Sequence, residues 1–236
     1  MKRLLLAVSC LFLLTGGLMA KTQDTLVCFV LDETGSMESV REQTISAFNE
    51  YTDSLKNVNK KNLLFTLIKF NTNKTEVKYS AVSLDKVERL NRSNYAPDAC
   101  TPLYDAIGYG VKDVEKKMSG HKDMCKSCGQ IIQPRVLFVI LTDGEENSSK
   151  EYDKEKITQL IKDKSADNWT FVYLGSNQDA WVESAKIGIT EYNCVSFNNN
   201  VIGATMKTLG TRTSTFLNSN CNTTDQFFGD EKLEIK

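Results

Sequence analysis

VCFVLDETGSM (residues 27–37) decides how the rest of the chain is read. It opens as an unbroken apolar run from Val27 to Leu31, then turns within one residue to Asp32, Glu33, Thr34, Gly35 and Ser36. A continuous apolar run of that length is the pattern of a strand buried on both faces, as in a parallel sheet covered by helices on each side. The sudden change has two readings. It is a polar turn that closes a strand, or it is a set of oxygen donors placed for a hard cation.

Further strands follow from the same pattern. Leu26 to Leu31, Val136 to Leu141 and Thr170 to Leu174 read as strands buried on both faces, and Leu63 to Phe70 as a fourth. After Asn71-Thr72-Asn73-Lys74 the chain alternates through Val77 and Tyr79, which predicts a hairpin and an antiparallel strand at the sheet edge. Cys194 to Phe197 is a last short strand.

Helical periodicity fills the gaps. Ser39-Val40-Arg41-Glu42 has the form of a capping box, followed by Val40, Ile45, Phe48, Tyr51 and Leu55 on one face. Thr101-Pro102 suits an N-cap and first helical position, followed by Leu103, Ala106, Ile107, Val111, Val114 and Met118. Ile157, Leu160 and Ile161 mark another helix, and Val182 with Ala185 a short one ending at Gly188. Val201 to Leu217 is a weaker helical stretch, diluted by Thr and Gly. Alternating strands and helices predict an α/β fold: a Rossmann-like open sheet, mostly parallel with one antiparallel edge strand, and helices on both faces. In such sheets ligands sit beyond the carboxyl ends of the strands. Asp32, Thr101 and the Thr142-Asp143-Gly144 turn are all expected on that rim.

These residues resemble the von Willebrand factor type A domain and its metal-ion-dependent adhesion site. The family's Asp-x-Ser-x-Ser stands here as Asp32-Glu33-Thr34-Gly35-Ser36, with Thr in place of the first Ser. Its lone Thr ahead of a helix is matched by Thr101, preceded by Cys100 where the family often has Gly. Its Asp after a central strand is matched by Asp143. The resemblance covers roughly residues 24–190, with 191–236 as a C-terminal extension of one domain. It implies a Mg2+ site, with Mn2+ as a substitute, in which the hydroxyls of Thr34, Ser36 and Thr101 touch the metal. Asp32 and Asp143 would act directly or through water. It also implies binding of a protein that presents Asp or Glu. The chemistry is consistent with this: Mg2+ takes oxygen ligands, and a shell of neutral hydroxyls leaves much of its charge to attract a partner's carboxylate. Glu145 and Glu146 are within sequence reach of the metal, but favour the N-terminus of the following helix.

Other chemistry is weaker. Cys125-x-x-Cys128 with His121 supplies three zinc ligands where a closed site needs four, so a disulfide or free thiols is the first reading, zinc the second and a redox pair the third. That cluster is placed at the end of the sheet opposite the rim. Cys194 with Cys221 is a second candidate bridge, and Cys28, inside the apolar run, is expected as a buried thiol. A single His argues against a Ser-His-Asp triad. The nearest enzyme alternative is a Mg2+ phosphohydrolase with Asp32 as nucleophile, but the haloacid-dehalogenase pattern needs a second carboxylate where Thr34 stands. A constitutive scaffold subunit is a third reading.

A formal charge of -1 gives no global field for nucleic acid. Residues 1–20 read as a secretory signal peptide, with Lys2 and Arg3 ahead of an apolar stretch and Ala20 at the cleavage point. The expected location is therefore secreted or periplasmic, with no membrane span in the mature chain and an uncleaved anchor as the alternative.

Overall fold

The computed structural model describes residues 24–58, 62–121, 123–124, 131–132, 134–176, 180–219, 226–229 and 233–235. The proposed signal peptide, Cys125, Cys128 and Cys221 lie outside them.

Seven strands form one sheet. They are β1 (Thr25–Asp32), β2 (Leu63–Asn71), β3 (Lys74–Ser83), β6 (Arg135–Thr142), β7 (Trp169–Ser176), β8 (Cys194–Phe197) and β9 (Leu233–Ile235), in the order β3-β2-β1-β6-β7-β8-β9. Strands β4 (Asp123–Met124) and β5 (Ile131–Ile132) form a separate small hairpin. Every pairing in the main sheet is parallel except β2 with β3, which is antiparallel. The expected sheet is therefore present, and β9 extends it beyond the strands read from sequence.

The helices are α1 (Arg41–Lys56), α2 (Leu103–Met118), α3 (Lys154–Ala166), α4 (Ala180–Lys186) and α5 (Ile202–Asn218). Strand alternation sorts them into two layers. Val27, Phe29 and Leu31 face a core built with α1 and α5, where the Phe29 and Phe48 rings meet edge to face at 5.4 Å. Leu26, Cys28 and Val30 face the core of α2, α3 and α4. Both faces of β1 are thus dry, which is why its sequence shows no polar alternation. The six apolar positions read for α2 are all buried. A Cβ on Gly110 would come within 2.9 Å of Ile68 and Phe138, so glycine lets α2 lie close to the sheet.

Three local expectations change. Gly35–Val40 forms a 3-10 turn and α1 begins at Arg41, so no capping box closes; the Ser39 hydroxyl donates to the Ser36 carbonyl instead. Helix α2 has Pro102 at its N-cap with no side-chain cap, because the Thr101 amide donates to Asn147 Oδ1 and the Thr101 carbonyl accepts from the Asn147 amide. Helix α4 exists, but it buries Ala180 and Ser184 and leaves Val182 54% exposed, so its inward face is rotated from the Val182–Ala185 pair. Cys28 is a buried free thiol as expected. Cys194 is buried, its thiol hydrogen-bonded with Ser184; the expected bridge to Cys221 falls outside the described residues.

Candidate metal centre

The chain leaves β1 toward β2 on one side, while β6 lies on the other side of β1. Their carboxyl ends form a topological switch point, the usual ligand crevice of an open α/β sheet. Parallel register sets Leu31 against Leu141, so Asp32 arrives beside Thr142 and Asp143.

Asp32 is fully buried. Its Oδ1 accepts the Thr34 amide at 2.8 Å, and its Oδ2 accepts the Thr142 hydroxyl at 2.6 Å. The Thr142 hydroxyl in turn accepts the Gly144 amide at 3.1 Å, which folds the loop after β6 back onto the strand end. Ser36 donates to Asp143 Oδ1 at 2.5 Å, and the Thr34 and Ser36 hydroxyl oxygens lie 3.2 Å apart. Thr101 joins them: a Cβ placed on Gly144 would be 3.0 Å from Thr101 Oγ1 and 3.7 Å from Ser36 Oγ. Glycine at 144 therefore leaves room for that hydroxyl. The structure brings all five residues, Asp32, Thr34, Ser36, Thr101 and Asp143, to one spot on the rim.

The loop carrying Thr101 is pinned from several directions. The Gly35 amide donates to the Ala99 carbonyl at 3.0 Å, and the Cys100 amide to Thr72 Oγ1 at 3.0 Å. Ala99 has a φ of +63°, a left-handed conformation that costs a residue with a Cβ roughly 1–2 kcal/mol. The neighbouring Asp98 carboxylate accepts the Ala99 amide at 2.7 Å, which offsets part of that strain.

Charge is the informative property of the site. Burial raises the Asp32 pKa to about 6, the Thr142 and Thr34 hydrogen bonds oppose the rise, and the Asp143 charge adds to it. Burial also raises the Asp143 pKa, opposed by the Ser36 hydrogen bond. Among the described residues no Lys or Arg forms an ion pair with either carboxylate. Two carboxylates and three hydroxyls are a donor set that fits a hard divalent cation, which would supply positive charge. Among the described residues no group of three or more His, Cys, Asp and Glu side chains is placed to hold a metal; the five rim donors are all oxygens, the donor type of a hard cation.

Sequence reasoning missed several supporting residues. Glu33 turns away from the rim into an ion pair with Lys69 at 3.1 Å, both side chains 3% exposed, and accepts the Ala96 amide at 2.7 Å. Tyr95 donates its hydroxyl to the Asp32 carbonyl at 2.7 Å. Asp105 accepts the amides of Lys150, Glu151 and Tyr152, which shapes the loop between β6 and α3. Glu146 also departs from expectation. It accepts the amide of Tyr104, in the first turn of α2, together with those of Ser148 and Ser149, so it serves α2 and not the following helix. Asp153 caps α3 by accepting the Lys156 amide.

His121 lies far from the rim. Its Nδ1 meets Asp24 Oδ2 at 2.8 Å, just ahead of the start of β1, so it sits at the opposite end of the sheet. The proposed zinc, redox or disulfide chemistry of Cys125 and Cys128 falls outside the described residues.

The fold and this rim define an open α/β domain with an oxygen-donor site at the switch point. A model of the von Willebrand factor type A domain matches residues 27–215, and the chain belongs to that family. The match extends through β8 and most of α5. No curated protein sequence matches the chain. Several solved structures share the fold at low identity. Proximal thread matrix protein 1 from the mussel byssus aligns with a TM-score of 0.55 and 14% identity over 82% of this chain and 48% of its own. The vWF domain of the type V pili tip protein Mfa5 from Porphyromonas gingivalis aligns at 0.57 and 8% identity, over 86% of this chain and 99% of its own. The pilus adhesin SpaC from Lactobacillus rhamnosus GG aligns at 0.58 and 11% identity, over 84% of this chain and 31% of its own. The chain spans about half the length of the mussel protein.

Proposed function

We propose that this domain is an exported, divalent-cation-dependent protein-binding module that accepts an acidic side chain from its partner. The observation that carries the reading is the convergence of Asp32, Asp143, Thr34, Ser36 and Thr101 on one rim without an internal cation among the described residues. A Mg2+ ion held by these oxygens would present a largely uncompensated positive charge to an incoming Asp or Glu. The protein's own contribution is to preset the donors. Thr142 and the Thr34 amide fix the Asp32 carboxylate, Asn147 fixes the Thr101 backbone, and Gly144 keeps the space open.

The names of two structural neighbours, a pilus adhesin and a pilus tip protein, are in keeping with a role in surface attachment and with export. Among the described residues no helix is long and apolar enough to cross a membrane. The phosphohydrolase alternative loses ground. Asp32 is fully buried and both its oxygens accept hydrogen bonds, which is poor placement for attack on a phosphate.

The test is capture of partners from the native extracellular milieu on the immobilised full chain, with Mg2+ and with EDTA. Partners retained with Mg2+, released by EDTA and lost with Asp143→Ala support the reading. Partners retained through EDTA point instead to a constitutive scaffold subunit. Mg2+-dependent turnover of a generic phosphate ester, abolished by Asp32→Asn, would replace binding with hydrolysis.

A further inference from the structure

Beside the rim, a groove of about 520 Å³ runs between the edge strand β3 and helix α2. Thr75 and Val77 lie on its floor, paired in register with Phe70 and Ile68, whose side chains belong to the α2-side core. Helix α2 covers those two but leaves Val77 40% exposed, one of two large apolar side chains so exposed among the described residues. Lys74, Lys112, Lys116 and Lys150 line the walls, against two carboxylates, Asp105 and Asp113.

Those carboxylates are already occupied. Asp105 accepts three loop amides and Asp113 accepts the Ser80 hydroxyl at 2.6 Å. Lys74 pairs with Glu76 and Lys112 lies over the Tyr152 ring, whereas Lys116 and Lys150 make no side-chain hydrogen bond or ion pair among the described residues. Lys112 and Lys116 stand one turn apart on α2, a like-charged spacing that is mildly unfavourable by itself. Four lysines line the groove with two aspartates, and Glu76 and Glu151 stand beside Lys74 and Lys112, so Lys116 and Lys150 are the cations left open to a ligand. The groove also opens at the rim: Thr72, Pro102 and Ser148 form its upper end, and Thr72 holds the Cys100 amide next to Thr101.

We propose that this groove binds an extended acidic segment of the protein partner, continuing from the side chain presented at the rim. The wall from Asp105 to Lys116 is about 16 Å long at helical rise, which matches about five residues of extended chain. Separate carboxylates would meet Lys112, Lys116 and Lys150, and one aliphatic side chain would cover Val77. The mixture of isolated cations, two carboxylates and an apolar floor fits a peptide better than the continuous charge of a phosphate chain. The continuity with the rim rests on the cation-binding reading; the groove's own affinity for acidic peptide does not.

The experiment is fluorescence anisotropy with a labelled peptide, Gly-Glu-Glu-Val-Glu-Glu-Gly, on the full chain, in EDTA and in Mg2+. In EDTA the wild type should bind the peptide and ignore its Gln-for-Glu counterpart. The exposed double variant Lys112→Ala/Lys116→Ala should weaken binding at least tenfold, and Val77→Glu should do the same by placing a charge on the floor. Lys207→Ala, exposed on α5 in the other helical layer, should leave binding in EDTA unchanged. Mg2+ should tighten wild-type binding and not that of Asp143→Ala. If that tightening is absent while lysine dependence persists, the metal reading fails and the groove stands. The proposal is overturned if the lysine double variant binds within twofold of wild type, if no peptide binding occurs in either buffer, or if an oligodeoxythymidine of similar length binds as tightly with the same lysine dependence.

Discussion

Asp32 and Glu33 are consecutive, both buried, and treated in opposite ways. Strand alternation continues past the end of β1 and sends them to different sides. Glu33 meets Lys69 on the α1 side of the sheet, where an internal ammonium and the Ala96 amide satisfy its charge. Asp32 meets the Thr34 amide and hydroxyl and the Thr142 hydroxyl, with no cation among the described residues and Asp143 nearby to repel it. One carboxylate is neutralised from within, and the other has no Lys or Arg partner among the described residues. The first arrangement anchors the loop between β3 and α2; the second is the one we propose completes itself with a cation.

The comparison can be broken hardest on the Glu33 side. Lys69→Ala would strand a buried carboxylate, and should cost about 3–5 kcal/mol, a fall in melting temperature on the order of 10 °C in thermal unfolding. Lys69→Ala leaving the melting temperature unchanged would mean that the pair anchors nothing.

On the Asp32 side the same comparison predicts a pH dependence of opposite sense to an ordinary salt-bridged carboxylate. Without metal, the folded state holds the Asp32 proton to about pH 6, against 3.8 for the free group. Between those values the folded chain binds more protons than the unfolded chain, so stability falls as pH rises, by ~3 kcal/mol in total. Calorimetry of metal-free protein should show that loss across the window, and Asp32→Asn should remove it.

A cation should reverse the deficit. Saturating Mg2+ at about a hundred times its dissociation constant should stabilise the wild type at pH 7 by about 2.7 kcal/mol, and should do nothing for Asp143→Ala. The smallest effect is expected at Gly144→Ala, whose methyl would crowd the Thr101 hydroxyl at 3.0 Å. Folding should persist, while Mg2+ affinity measured by calorimetric titration should drop by about tenfold, or about 1.4 kcal/mol.

Much of this was legible in the chain. The doubly buried strands β1, β6 and β7 announce themselves as apolar runs, and their ends locate Asp32 and Asp143 without any knowledge of the fold family. Thr101 was readable because it precedes a clear amphipathic helix. What failed was local and competitive. Ser39 had the sequence of a cap, but a 3-10 turn took its place, and the first turn of α2 found its acceptor in Glu146, forty-two positions away. Partners brought together by tertiary structure leave no spacing to read. One signal was present: Lys69 interrupts the buried run Leu67-Ile68-Phe70, and a charge within a buried strand requires a counter-charge close by. Two carboxylates answer it: Glu76, directly opposite on β3, and Glu33, just past the end of β1.

The central claim is that the rim oxygens hold a divalent cation. Crystals soaked in Mn2+ and measured above the manganese absorption edge test it most directly. A single anomalous peak within bonding distance of Ser36, with the oxygens of Thr34, Thr101, Asp32 and Asp143 around it directly or through water, is the predicted result. A map with no peak at that rim, under Mn2+ concentrations that saturate other oxygen sites, would contradict it.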